Sequence, residues 1–401
     1  DGVVQLAAGK TITGYVDNIT GTDGAGTLTF AGASTVTESI GATNALKLIT
    51  AAQSGTAAVF GGSVAAQTIN LGSGAVSFGG DITGEVNVNN AGSVITIADG
   101  AKVTGNINNT TGATNGTINA TGSLTVTGDI GSPDAFNIFN VKADNKTISF
   151  GGDTNIASFN FNGKTNSVLS FTGVNKTFVG DITAGAHGAG TLDASANSVT
   201  INGKIGANGA SLLAMTVGGD SATTLTLNGN AYALSTNIDH ENSTIVFGTD
   251  NITLNSNLVI AGDNYGIINA THDAAIVGNV GTTSGNALQE IRIASGKTLT
   301  LSGGEINIQN LSPVDATSSL VITGNTNTDV TIANRVVDGT LTLSGSAVRT
   351  INANFGDANS AFSTFNLGGT GTQTFAAGKG AQYFTTLNFV GAAASIGQFD
   401  G

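Results

Sequence analysis

Apolar residues recur along this chain in short alternating segments separated by turn residues. Val86 and Val88, for example, alternate with polar neighbours, and further apolar clusters occupy 94–97 and the stretch that begins at Val103. A period of two is typical of strands with one buried face, and the Asn- and Gly-rich stretches between the clusters are typical of turns. Three short strands and three corners therefore predict one coil of a triangular parallel β-helix.

A short motif repeats along the whole chain: an apolar residue, any residue, glycine, a polar residue and often a second apolar residue. Copies begin at Phe60, Phe78, Val103, Val126, Phe150, Phe178 and Ile201, with looser copies at Phe30, Leu227, Ile260, Ile276, Leu301, Ile322, Leu343, Leu367 and Phe389. The first and last copies are consistent with a step of about 24 residues. The sequence thus predicts an all-β fold, a right-handed parallel β-helix (β-solenoid) of about sixteen coils with about 24 residues per coil, continuous over residues 1–401.

Equivalent positions of successive coils lie above one another in a solenoid, about one strand spacing apart. We therefore expect one buried file made of the motif's first apolar residues, namely Phe78, Val103, Val126, Phe150, Phe178 and Ile201. The polar residue after the glycine, such as Asp81 or Asn106, is expected to be exposed, and its truncation to cost no more than ~0.5 kcal/mol. Asn side chains at the turns are expected to bond from coil to coil.

Other folds fit the pattern less well. Tandem immunoglobulin-like sandwiches would need units of about 100 residues, and a left-handed β-helix would need a hexapeptide rhythm. The segments 45–49 and 212–215 are the only helix-like runs, and they are equally consistent with strands or corner inserts.

Composition narrows the classes of function. Charged residues make up 10% of the chain, the formal net charge is −13, and the 13 Lys and Arg are scattered singly. Nucleic-acid backbones and anionic membranes need clustered Lys and Arg, so neither is an expected partner. Cysteine is absent, which excludes thiol catalysis and Cys-type metal sites and is consistent with export through a narrow pore.

Several local patterns resemble catalytic or metal sites, but each lacks an essential part. Gly218–Ser221 resembles the surroundings of a serine-protease nucleophile, although Ala222 replaces the final glycine and a triad needs all three members in place. The segments 239–241 and 271–273 contain His240 and His272 but lack paired ligand spacing. Exposed corner residues are the favoured interpretation of both segments, as also of His187.

Two glycine-rich segments are interpreted in the same way. The segment 368–375 resembles one calcium-binding nonapeptide, but Gln373 replaces the acidic ligand and no tandem copies follow. The segment 185–190 lacks the βαβ context of a dinucleotide site. Paired carboxylates for glycoside chemistry stay open, because coils can bring distant Asp residues together. We therefore assign no catalytic, cofactor-binding or metal-ligating residue, expect no cofactor, and predict a non-enzymatic chain.

Three repeat segments carry a resemblance to a known family. The segments 93–107, 124–131 and 199–206 resemble the passenger region of rickettsial surface-cell-antigen autotransporters. The resemblance implies a segment of a larger passenger, displayed on the extracellular face of the outer membrane as a structural and adhesive rod or surface coat that contributes to host-cell attachment and entry. The anchoring outer-membrane barrel is expected in the parent protein and not in this chain.

The resemblance also implies partners. A host cell-surface receptor is expected, without an identified ligand, together with lateral self-association in a surface layer. The alternative function is a β-helix polysaccharide-processing enzyme or a tailspike-like carbohydrate-binding module. Such an enzyme would place carboxylates and aromatic side chains on one face of neighbouring coils, whereas this chain has four Tyr and no Trp.

Overall fold

A computed structural model describes residues 2–281, 286–323, 329–334, 336–390 and 397–399. Within these ranges the chain consists of 39 strands and one short 3-10 turn, Gln53–Gly55. The chain divides into two compact units: residues 1–192 with 206–212, and residues 193–205 with 213–401. The helix-like segments 45–49 and 212–215 fall mainly within strands, as the alternation allowed.

The first unit contains β1 Val3–Leu6, β2 Thr11–Ile12, β3 Thr27–Phe30, β4 Ser34–Val36, β5 Leu46–Ala51, β6 Ala58–Phe60, β7 Val64–Leu71, β8 Ala75–Phe78, β9 Ile82–Val88, β10 Val94–Ile97, β11 Ala101–Thr104, β12 Ile107–Asn109, β13 Asn115–Ala120, β14 Leu124–Val126, β15 Phe136–Val141, β16 Thr147–Phe150, β17 Thr154–Asn160, β18 Val168–Phe171 and β19 Lys176–Thr183. Two further strands, β20 Thr191–Ala194 and β22 Leu212–Val217, contain residues of both units.

The second unit contains β21 Val199–Asn202, β23 Thr224–Leu227, β24 Ala231–Ile238, β25 Thr244–Phe247, β26 Ile252–Ile260, β27 Tyr265–Ala270, β28 Ala274–Val277, β29 Leu288–Ile293, β30 Thr298–Leu301, β31 Glu305–Pro313, β32 Ser319–Ile322, β33 Asp329–Ile332, β34 Thr340–Leu343, β35 Arg349–Asn352, β36 Phe362–Leu367, β37 Gln373–Phe375, β38 Phe384–Phe389 and β39 Gly397–Phe399.

Paired strands run parallel, each against its counterpart in the next coil, so the predicted β-solenoid is confirmed. The coils number about 17 and follow one another about 22 residues apart, close to the predicted sixteen and 24. Individual steps vary widely. Val64 pairs with Ile82, a step of 18 residues, whereas Val199 pairs with Leu225, a step of 26.

Stacked files of inward-facing residues fill the first unit, and three of them contain the residues of the repeated motif. One file contains Phe60, Phe78, Ile97 and Ala120. A second contains Val64, Ile82, Val103, Val126, Phe150 and Phe171. The third contains Ile69, Val86, Ile107, Ile130, Thr154 and Phe178. Every one of these side chains is buried.

The single predicted file of motif residues is therefore wrong in part. Val103, Val126 and Phe150 do stack in consecutive coils. Phe78 instead belongs to the first file, and Phe178 pairs with Thr154 in the third. In the second unit, Ile201 pairs with Leu227.

The physical reason is that the same glycine corner occurs at all three corners of a coil. Phe78-Gly-Gly-Asp-Ile82 links the first file to the second, and Val126-Thr-Gly-Asp-Ile130 links the second to the third. Phe178-Val-Gly-Asp-Ile182 leads from the third file to Ile182, which pairs with Phe159. Phe159 continues the file of Ile118 and Phe139, two residues before the first file along the same sheet. A single repeat length applied to every copy of the motif therefore combined residues that belong to different files.

Glycine is required where two strand segments join within one long strand. Gly84 has φ +125°, and a Cβ there would lie 1.6 Å from the carbonyl oxygen of Ala66 in the preceding coil. Gly180 repeats this geometry at φ +130°, with the oxygen of Ile156 at 1.6 Å. L-residues rarely adopt such φ values, and no side chain fits the space. The close approach of successive coils thus depends on these glycines.

Aromatic side chains fill the interior of both units. In the first unit the ring centroids of Phe139 and Phe159 lie 5.1 Å apart, and Phe150 packs edge-on against Phe139 at 5.5 Å. In the second unit Phe355 lies 5.1 Å from Phe362. Edge-on and offset pairs of this kind stabilise a core beyond their burial alone.

Candidate functional site: polar ladders on the outer faces

The corners of the first unit carry a ladder of side-chain acceptors, defined here by Asn106, Asp129 and Asp153. Asn106 Oδ1 accepts the backbone N–H of Asp129 at 2.8 Å, and Asp129 Oδ1 accepts that of Asp153 at 2.8 Å. Asp153 Oδ1 then accepts the N–H of Thr177 at 2.9 Å. Each residue lies at a corner, and its side chain satisfies the next coil's backbone donor. We name this set the corner ladder.

The corner ladder corrects an expectation about the polar residue after the glycine. Asp81 is exposed, as expected, yet its Oδ1 accepts the N–H of Lys102 at 2.8 Å. Asn106 is only half-buried and carries the first rung of the corner ladder. Exposure alone therefore underestimates how much these residues contribute to the stability of the fold. Removing the side-chain acceptor leaves a backbone N–H without its hydrogen bond.

Equivalent rungs occur in the second unit. Asp250 Oδ1 accepts the N–H of Asp273 at 3.0 Å, and Asp273 Oδ1 accepts the N–H of Thr298 at 2.7 Å. At another corner Asn257 Oδ1 accepts the N–H of Asn279 at 3.0 Å. The arrangement is thus a recurring structural device, and its carboxylates are occupied with backbone donors.

Asn side chains bond from coil to coil at the turns, as expected, where Asn166 Nδ2 donates to Asn145 Oδ1 at 3.1 Å, and they form a second kind of ladder on the strands. In the first unit, Asn108 Nδ2 donates to Asn87 Oδ1 at 2.9 Å, and Asn87 Nδ2 donates to Asn70 Oδ1 at 3.3 Å. The side chains of Asn140 and Asn119 form a similar bond at 3.0 Å. These amides cover the outer faces with uncharged donors and acceptors.

Threonine lines one outer face of the second unit. Paired residues in consecutive strands there are Thr298, Ser319, Thr340, Thr364 and Thr386. The first four are half-buried, and they alternate with buried residues of the interior. This face therefore presents a regular file of hydroxyl and methyl groups about one strand spacing apart.

Two ion pairs tie coils together across two steps. Lys146 Nζ lies 2.5 Å from Asp99 Oδ2 in the first unit, and Lys297 Nζ lies 2.9 Å from Asp250 Oδ1 in the second. Hydrogen bonding to the lysine is the main cause that lowers the pKa of both Asp99 and Asp250. Both pairs are at the solvent surface, so their contribution is modest and sensitive to salt.

Each unit carries a shallow groove on its outer surface. The groove of about 400 Å³ in the first unit is lined by Asp129, Asp153 and Pro133, among others. The groove of about 460 Å³ in the second unit is lined by Asp273 and Thr300, among others. In both grooves an Asp Oδ1 already accepts a backbone N–H, so the grooves are parts of the corner structure.

The residues considered for serine-type catalysis form no such arrangement. Asp220 and Ser221 are exposed. Nδ1 of His240 faces the carbonyl oxygen of Glu241 at 2.5 Å, and Nδ1 of His272 faces that of Phe247 at 3.3 Å. Across the described ranges, no hydrogen bond joins a histidine to a serine hydroxyl.

The calcium-like segment 368–375 is occupied by internal contacts. Gln373, which stands where an acidic ligand would be, is buried, and its Nε2 donates to the carbonyl oxygens of Ala347 at 2.9 Å and Gly371 at 3.0 Å. Its Oε1 accepts from Nη1 of the buried Arg349 at 3.3 Å. Within the part of the chain that is described, no group of three or more His, Asp or Glu side chains could hold a metal ion.

One pair of carboxyl groups bears on the open question of glycoside chemistry. Burial, followed by the nearby charge of Asp193, raises the pKa of Asp239. Asp193 Oδ1 accepts the N–H of Ser195 at 2.9 Å. Neither carboxyl lines the two grooves described above. A raised pKa is what a general acid needs, and a sugar-cleaving site would also need a cleft in which the sugar binds.

Sequence reasoning missed the buried Asn corner. Asn109 is fully buried, its Oδ1 accepts the N–H of Thr111 at 3.1 Å, and its Nδ2 donates to the carbonyl oxygen of Ala135 in the next coil at 2.6 Å. Asn18 makes the same contacts, to Thr20 and Ala45. The shared pattern Asn-x-Thr-Gly is the signal that could have identified it.

Comparison with known proteins gives relatives but no family model and no solved structure. The chain is 33% identical over 375 residues to outer membrane protein A of Rickettsia rickettsii, an alignment that covers 89% of this chain and 15% of that protein. It is 30% identical over 300 residues to outer membrane protein B of the same organism, an alignment that covers 68% of this chain and 17% of that protein. Against outer membrane protein B of Rickettsia conorii the identity is 28% over 296 residues, covering 68% and 18%.

The chain therefore spans less than a fifth of the length of these relatives. The resemblance inferred from the repeat segments is confirmed, and it extends to protein A as well as protein B. Within the described residues, no helix has both the length and the apolar character needed to cross a membrane.

Proposed function

Because this chain is a relative of the rickettsial outer membrane proteins A and B over most of its own length, we propose that it is a non-enzymatic segment of a surface passenger. In this proposal the parent protein is displayed on the extracellular face of the outer membrane. The segment acts as a structural part of the surface coat and contributes to attachment to, and entry into, host cells.

The observation that carries the proposal is the division between the interior and the outer faces of the coils. Inward positions are filled mainly by stacked apolar and aromatic side chains. Outward positions carry Asn and Thr ladders, and the corner carboxylates already bind backbone donors. Such a surface suits a scaffold that presents a broad, repetitive face. A catalytic site would instead require a concave cavity with convergent groups.

The chemistry of the outer faces also suggests how partners would bind. Amide and hydroxyl groups at strand spacing can donate to and accept from a receptor's polar groups or a second copy of the chain. We propose both a host cell-surface receptor and lateral self-association as partners. Since charged residues are only 10% of the chain, binding should depend weakly on salt.

The alternative, polysaccharide processing, is favoured by one observation, the Asp193–Asp239 pair with its raised pKa. In that function Asp239 would be the general acid. Asp239→Asn keeps the shape of the side chain and removes its titration, so it separates the two functions.

Beads coated with the purified chain, offered to cultured host cells, test the proposal. The folded chain is expected to attach beads to the cells, the Asp239→Asn variant to attach them equally well, and heat-denatured chain to lose attachment. Release of reducing sugar from surface polysaccharides, measured in parallel, should stay at background. Attachment no better than that of the denatured chain would contradict the proposal, and sugar release abolished by Asp239→Asn would establish the alternative.

A further inference from the structure

The chain contains five Asn-Gly pairs, and they differ sharply in how their side chains are held. They are Asn115-Gly116, Asn162-Gly163, Asn202-Gly203, Asn208-Gly209 and Asn228-Gly229. An Asn-Gly pair can cyclise because glycine has no side chain to hinder the attack of its backbone nitrogen on the Asn side-chain amide carbon. The reaction also requires an Asn amide that can swing onto the next backbone nitrogen, and a nitrogen free of a hydrogen bond.

Four pairs are held by the coils. Asn162 Nδ2 donates to Asn140 Oδ1 at 3.2 Å, and the N–H of Gly163 donates to the carbonyl oxygen of Ala184 at 2.8 Å. Asn228 Nδ2 donates to Asn202 Oδ1 at 2.6 Å, which ties two further pairs together.

The fourth held pair is Asn115-Gly116, in strand β13. Asn115 Nδ2 donates to Thr111 Oγ1 at 3.1 Å, and Gly116 is buried beneath the Phe136 ring. Each of these four pairs must open locally before it can react.

Asn208-Gly209 is different. It forms the tip of a two-residue turn closed by mutual backbone bonds between Ala207 and Ala210, at 3.1 and 2.9 Å. Asn208 and Gly209 are both exposed, and open space surrounds Gly209, which has φ +79°. Within the described residues no hydrogen bond holds the Asn208 side chain or the Gly209 N–H.

We propose that Asn208 is a site of spontaneous deamidation. The backbone nitrogen of Gly209 forms a bond to Cγ of Asn208. The NH2 group of the Asn208 side chain takes up the proton of the Gly209 nitrogen and leaves as ammonia, which gives a cyclic imide. Water then adds to either imide carbonyl and opens the ring, which leaves Asp or isoaspartate at position 208. Each event replaces a neutral amide with a carboxylate, and so adds one negative charge to the formal −13.

Peptide mapping by mass spectrometry tests the site in the folded chain after incubation in warm, mildly alkaline buffer. Asn208 should convert at least about tenfold faster than each of the other four, because each of those must first open locally. In denaturant the coil contacts are lost, and the five rates should converge. An ion-exchange column should resolve one new acidic form.

Two variants complete the test. Asn208→Gln lengthens the side chain and should abolish the acidic form, whereas Asn228→Gln, at a held pair, should leave conversion at Asn208 unchanged. Equal rates at all five pairs in the folded chain, or a rate at Asn208 as slow as at Asn162, would overturn the proposal.

Discussion

Asn106 Oδ1 lies 2.8 Å from the backbone nitrogen of Asp129, one coil further along the solenoid. Asp129 stands in the same relation to Asp153, again at 2.8 Å. In a strand the backbone donor would meet a carbonyl of the adjacent strand, but at a corner the side chain takes that role. The polar side chains at the corners therefore help to hold successive coils at their spacing.

Asn106→Ala should destabilise the first unit by about 1 kcal/mol, since it removes the acceptor for the Asp129 N–H. Asn106→Asp keeps an acceptor oxygen in place and should cost less. Urea unfolding followed by circular dichroism measures both variants. The control is Thr104→Ala, at an exposed position of the same coil, which should change stability by no more than ~0.5 kcal/mol. If Asn106→Ala and Thr104→Ala cost the same, the corner ladder contributes nothing.

Phe150→Ala should cost about 3–5 kcal/mol, because the ring is fully buried between Val126 and Phe171 and also packs against Phe139. Repeat proteins respond locally to such damage. Hydrogen exchange should therefore accelerate first in the strands Leu124–Val126 and Val168–Phe171.

Val174→Ala is the matched control for Phe150→Ala, since Val174 is 69% exposed in the same unit. Its exchange pattern should equal that of the unchanged chain. Uniform acceleration along the whole first unit in Phe150→Ala would refute the local, file-based packing.

Asp315 should make the second unit sensitive to acid. Hydrogen bonds from Ser295 and then Thr317 lower the pKa of Asp315 to about 2 from its usual 3.8. A lowered pKa means that the charged form stabilises the fold above about pH 4 and that this contribution is lost as the pH falls toward about 2. Melting temperatures across this range should fall less steeply for Asp315→Asn than for the unchanged chain.

Asp239 is a control for Asp315, because its pKa is shifted in the opposite direction. Burial, followed by the charge of Asp193, raises its pKa, so the charged form at neutral pH opposes folding and protonation in acid relieves this. Asp239→Asn should therefore melt at a higher temperature than the unchanged chain at neutral pH, and the gap should close in acid. A lower melting temperature at neutral pH would mean that the Asp239 carboxylate is stabilised by the fold.

The fold could be predicted from the sequence because alternation and corner residues report local geometry directly. Val86 and Val88 are both buried and in one strand, as their spacing indicated. The assignment of residues to files could not be predicted, because Phe78 and Val126 precede corners that share the sequence Gly-Asp-Ile but lie at different vertices of the coil. Because coil length varies from one coil to the next, a single period does not assign a corner to its vertex.

For the outer surface, the type of side-chain bonding could be predicted from the sequence, but the residues that take part could not. The coil-to-coil bonding of Asn side chains at turns follows from their abundance there, and Asn145 with Asn166 confirms it. Which Asn points inward depends on tertiary contacts, since Asn108 is half-buried on the surface while its neighbour Asn109 is fully buried. The sequence also gave no indication that Lys146 would reach Asp99 two coils away.

The central structural claim, three files with unequal steps, is tested most directly by engineered disulfides, because the chain has no cysteine of its own. Ser77 pairs with Thr96 in the next coil, and neighbouring parallel strands lie about 4.8 Å apart, within disulfide reach. The single file of motif residues, in which Phe78 would stack on Val103, would instead place Ser77 beside Lys102. We predict that the double variant Ser77→Cys with Thr96→Cys forms an intramolecular disulfide on oxidation, and that Ser77→Cys with Lys102→Cys does not. The reverse result would contradict the three-file solenoid.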